Sequence, residues 1–80
     1  MSNVERFQGV IIDVEHEQLR LTVEEAGALV RCNAGEDVES IVDTCFSMEF
    51  GGVRVVVGWN DGVIVPRDVV EQVRALLEAA

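Results

Sequence analysis

Three side chains in this 80-residue sequence could serve as a base, a nucleophile or a soft metal ligand: His16, Cys32 and Cys45. His16 stands between Glu15 and Glu17, whose charges favour its protonated form. An imidazole beside Cys32 would draw off the thiol proton and leave a thiolate nucleophile. Antiparallel pairing of the expected second and third strands would bring the Cys32 end to the edge that carries His16. Cys32 follows Arg31 in an alternating stretch, however, and is expected to point inward, so no catalytic role is assigned to it. Two Cys allow one disulfide at most, and both are expected to stay reduced and buried in a chain with no secretion signal.

Metal and acid–base chemistry are supported no better. Two Cys thirteen residues apart and one distant His do not form the closely spaced pairs of a structural zinc site. The acids of Glu15–Glu17, Glu24–Glu25 and Glu36–Glu39 do not follow the Asp/Asn/Gly pattern of an EF-hand loop. A carboxyl pair for acid–base work needs one member in an apolar site, and these acids fall in expected turns or at a helix start. Gly51-Gly52 joins two strands instead of opening a helix, so it is no phosphate cradle. The reading is of a non-enzymatic protein with neither cofactor nor metal.

Charge narrows the partners. Fifteen acids oppose six bases for a net charge of −9, and every base is Arg. Nucleic-acid binding needs a basic patch that releases counterions, whereas Arg6, Arg20, Arg31, Arg54, Arg67 and Arg74 are dispersed. Direct contact with nucleic acid is therefore not expected, while acidity favours solubility and basic partners. The longest apolar runs fall far short of the roughly 20 residues that cross a bilayer, and the N-terminus lacks a signal-peptide pattern. No membrane contact and a cytoplasmic location are expected.

The elements that would position these residues follow from periodicity. One domain is expected, near the size at which a chain buries only about 60 to 65% of its unfolded surface. No linker or repeat is seen to divide it. Sixteen Val residues favour sheet. Alternation of Val10, Ile12 and Val14, of Leu19, Leu21 and Val23, and of Ala28, Val30 and Cys32 predicts strands at about 8–15, 18–24 and 28–33. Val38, Ile41, Val42 and Cys45 at i, i+3, i+4 and i+7, with acids ahead of them, predict a short helix at about 36–44.

A second hairpin follows, with Phe46, Met48 and Phe50 on one side of Gly51-Gly52 and Val53, Val55 and Val57 on the other. Asn60-Asp61-Gly62 makes a turn, Val63–Val65 a strand that Pro66 ends, and Asp68 with Glu71 a capping box for a helix at about 69–79. That helix carries the stripe Val69, Val70, Val73, Leu76 and Leu77. The fold class is α+β, in the order βββ-α-βββ-α. It is either a small antiparallel sheet of about six short strands or a partly closed barrel, with a short middle helix and a C-terminal helix.

The opposite strand face carries Ile11, Leu29, Val56 and Ile64. Barrel curvature closes it, or a second copy covers it in a homodimer. Glu15 and Glu17 at the first hairpin, with Glu36, Asp37, Glu39 and Asp43, are expected at one end of the sheet, forming an acidic pole. Trp59, the sole Trp, either seals the end of a Val-rich core or anchors an interface.

These features describe a small acidic interaction module that binds a basic protein or a nucleic-acid-binding protein, as an inhibitor or regulator that competes with nucleic acid. Phage-encoded counter-defence proteins share the profile, as a compositional likeness alone. The alternative is a homo-oligomeric structural or assembly subunit that uses the exposed apolar sheet face. The capping box, the turn and the alternating strands are generic and carry no family signature.

Overall fold

The computed structural model describes residues 3–6, 9–14, 17–58 and 62–79. Its first strand, β1 (Asn3–Arg6), lies ahead of the expected start and pairs antiparallel with β2 (Gly9–Val14). Strand β3 (Glu17–Thr22) completes a three-stranded antiparallel sheet. Ile12 stands opposite Leu19 and Val10 opposite Leu21. With Val14 these side chains are at most 3% exposed, so the period-two pattern marks the buried face as expected up to Leu21, whereas Val23, expected on the same strand face, opens the following helix and is 46% exposed.

Residues 28–33, expected as a strand, belong to helix α1 (Val23–Asn33). The cause is local. Thr22 and Glu25 form a capping box, with the Glu25 N–H donating to Thr22 Oγ1 at 3.1 Å and the Thr22 N–H donating to Glu25 Oε1 at 2.8 Å. Glu24 and Glu25 in the first turn and Arg31 in the last complement the helix dipole. Ala26, Leu29 and Cys32, spaced by three, become the buried stripe.

The helix expected at 36–44 does not form. Gly35, at φ 95°, ends α1, and residues 36–40 continue without regular structure. Ile41 and Thr44 then exchange backbone hydrogen bonds of 2.9 and 2.8 Å across Val42-Asp43. The segment from which a helix would be built thus ends in a two-residue turn that leads into β4 (Thr44–Glu49). Strand β4 pairs with β5 (Gly52–Val57) across a turn in which Gly51 takes φ 93°, and β5 pairs with β6 (Val63–Pro66). Of the predicted turn at 60–62, Asn60 and Asp61 lie outside the described residues.

The last element, α2 (Arg67–Ala79), starts one residue before Asp68, so Asp68 is a first-turn acid instead of the expected N-cap of a capping box. Val69, Val70 and Val73 are buried, and Leu76 and Leu77 are half-buried.

The fold class is α+β and the order βββ-α-βββ-α, as predicted, but the described strands form two open three-stranded sheets, β1-β2-β3 and β4-β5-β6, and do not close into a barrel. The chain is also repetitive, against expectation: each sheet is followed directly by a helix, and the middle strand of each begins Gly-Val. A Cβ on Gly9 would lie 2.1 Å from the Leu21 carbonyl oxygen, and one on Gly52 equally close to that of Val65. Both positions require Gly because the neighbouring backbone occupies the side-chain space. Helix α1 packs on β2 and β3 of its own half and on β4 and β5 of the other, while α2 contacts β1, β5 and β6. One core results, uniting Val10, Ile12, Leu21 and Leu29 with Val53, Val55, Val65, Val70 and Val73.

Candidate protein-binding groove

Strand β4 is where the core is least covered. Register places Thr44, Phe46 and Met48 opposite Val57, Val55 and Val53, so their side chains share the inner side of the sheet. Val53 and Val55 are fully buried, yet Phe46 is half-buried and Met48 is 44% exposed. Helix α1 ends at Asn33, before it can roof this end of the strand, and the loop after it stands opposite. Cys32, Gly35, Glu36, Asp37, Val38, Phe46 and Met48 line the resulting depression, of about 370 Å3. Its floor is apolar: Val38 and Phe46 pack against the core. Glu36 and Asp37, both exposed, give it an acidic rim. At the hairpin tip Phe50 is fully exposed.

The loop's other side forms a second depression, of about 360 Å3, where Glu36, Asp37 and Glu39 meet Glu24, Arg31 and Ser40. Three of the expected partner-binding acids are thus gathered around one loop. Asp43 is exposed in the turn before β4, where its carbonyl accepts from the Gly58 N–H at 3.1 Å. Glu17 is exposed at the start of β3 and lines neither depression. Glu15, His16 and Trp59 lie outside the described residues. The predicted acidic pole relied on a strand ending near Cys32; since residues 28–33 are helical, that reason for joining the first hairpin to the other acids is gone.

The two thiols differ. Cys32 is 5% exposed and points inward as expected; burial, and then the charge of Asp37, push its pKa above the ordinary thiol value. Cys45 corrects the expectation of two buried thiols, for it is exposed on the outer side of β4. Both are free. Among the described residues no three His, Cys, Asp or Glu side chains converge as metal ligands, and no helix is long and apolar enough to cross a membrane.

The second apolar sheet face is smaller than expected. Leu29 belongs to α1 and is fully buried in the core. Ile11 and Val56 are half-buried, and Ile64 is 39% exposed opposite Arg54.

Sequence reasoning missed Val38, Phe46 and Met48 as site residues. The signal was Phe46-Ser-Met48-Glu-Phe50, three large apolar side chains in alternation beside a Gly-Gly turn. No protein-family model matches the chain, and no curated protein or solved structure does either.

Proposed function

We propose that the protein is a non-catalytic binding module that takes an extended basic segment of another protein into the groove between the 35–38 loop and β4. The observation that carries this is the union of an apolar floor, Val38, Phe46 and Met48, with an acidic rim, Glu36 and Asp37. The floor takes an apolar side chain out of water, and the rim selects for Arg or Lys beside it. A net charge of −9 adds long-range attraction for the same partner. Segments of this composition are also what nucleic-acid-binding proteins present to phosphate, so occupation of the groove would compete with nucleic acid and make the protein an inhibitor or regulator.

The probe is a synthetic decapeptide of alternating Arg and Val, titrated into isotope-labelled protein and followed by amide NMR shifts. Changes centred on Val38, Phe46 and Met48 are expected, weakening as ionic strength rises from about 0.1 M to about 1 M, over which the Debye length falls from about 10 to about 3 Å. Shifts scattered over the surface, or an affinity indifferent to salt, would contradict the proposal.

A further inference from the structure

We infer that the bound segment is held by strand addition: it pairs through its backbone with the outer edge of β4. This rests on the groove reading above and specifies its geometry. In an antiparallel ladder a residue exchanges both backbone bonds with one neighbour, and the next residue turns to the other side. Thr44 gives both of its bonds to Ile41, on the side away from β5. Asp43 bonds toward β5, through Gly58. By alternation Cys45, Ser47 and Glu49 serve β5, while the N–H and C=O groups of Phe46 and Met48 point along the outer edge.

Beyond the Ile41 bridge, no strand among the described residues pairs with that edge. The same two residues supply the apolar floor of the groove. A segment laid along the edge therefore meets backbone that no described strand pairs and an apolar floor together, with Glu36 and Asp37 facing it across the groove. Charge chooses the occupant. A second copy would bring another −9 and another acidic rim to the same place, whereas a basic segment neutralises it.

The test uses the Arg/Val decapeptide in three forms: unmodified, N-methylated at every Arg, and N-methylated at every Val. In a strand only residues of one parity face β4, so one methylated form should lose roughly tenfold or more in affinity while the other stays within about threefold of the parent. Equal effects of the two patterns, whether both bind or both fail, would overturn strand addition and leave the groove reading intact. An unmodified peptide that does not bind removes the groove reading itself.

On the protein side, Met48→Pro deletes an edge-directed N–H without touching the β5 ladder. It should weaken the peptide more than Met48→Ala does, at an unfolding midpoint near that of Met48→Ala. Sedimentation of the protein alone as a dimer that Met48→Pro dissociates would assign the edge to a second copy and overturn the inference.

Discussion

Thr44 Oγ1 donates a 2.6 Å hydrogen bond to Glu25 Oε2, joining the first residue of β4 to the first turn of α1. Glu25 Oε1 at the same time accepts the Thr22 N–H, so one carboxylate closes the capping box and ties the two βββα halves together. Among the described residues Thr44 is the one buried polar residue, at 2% exposure, and this bond satisfies its hydroxyl. The contact also holds the start of β4 against the first turn of α1.

Removing Glu25 should accordingly cost more than a surface acid would. Glu25→Ala loses the reciprocal half of the capping box and the Thr44 acceptor together, while Thr22 still caps the helix, and a loss of about 2–3 kcal/mol is expected, against about 1 kcal/mol for Thr44→Val. Urea unfolding of both single variants and the double variant checks this. A coupling of about 0.5 kcal/mol or more marks the bond, and strict additivity would deny it.

The repeated Gly positions give the sharpest contrast in packing. Gly9→Ala and Gly52→Ala each drive a methyl into a neighbouring carbonyl oxygen, and losses of about 3 kcal/mol or more are expected. Gly27, in the interior of α1, has nothing within 4 Å of a new Cβ. Gly27→Ala should therefore stabilise the protein by about 0.5–1 kcal/mol through helix propensity. Calorimetric melting of the three variants orders them.

Val42 is the one described residue other than Gly with positive φ, at 52°, and it is 90% exposed. A two-residue turn with positive φ at its first position follows the II′ pattern, which favours Gly there. A β-branched side chain in that region is strained. Val42→Gly should raise stability by about 0.5–1 kcal/mol even though no buried contact is gained. A lower unfolding midpoint would show that the turn holds Val42 without strain.

Iodoacetamide should separate the thiols. Cys45 is exposed and should be alkylated in the native protein, whereas Cys32 is buried with a raised pKa and should react only on unfolding. Intact-mass measurement should find one adduct under native conditions and two in denaturant.

How far the sequence could be read depended on how many residues carried each period. Strands β2 and β5 were legible because Val10-Ile12-Val14 and Val53-Val55-Val57 alternate over full strands, and α2 because its stripe runs from Val69 to Leu77. Ala28, Val30 and Cys32 alternate over three residues only, and Ala26, Leu29 and Cys32 fit a helix equally well. Thr22-x-x-Glu25, the same kind of signal used at Asp68, would have decided it. The 36–44 pattern of Val38, Ile41, Val42 and Cys45 has helical spacing but too little length to pay for nucleation. In the structure Val42 and Cys45 are exposed and Val38 is half-buried.

The repeat was written in Gly9-Val10 and Gly52-Val53, but the reason both need Gly is a carbonyl from the next strand, which no local pattern reveals. Glu36 and Asp37 were legible as acids. Their apolar counterpart was legible only as an alternation of large apolar residues, because Phe46 and Met48 have an ordinary inward period and the early end of α1 is what leaves them uncovered.

In the proposed mode, rim and floor act together on one basic segment. The measurement that decides it is isothermal titration of the unmodified Arg/Val decapeptide against the wild type and the double variant Glu36→Gln/Asp37→Asn, which removes the two rim charges. The variant should bind roughly tenfold or more weakly and show a smaller salt dependence, with its unfolding midpoint unchanged. An unchanged affinity in a folded variant would contradict the claim.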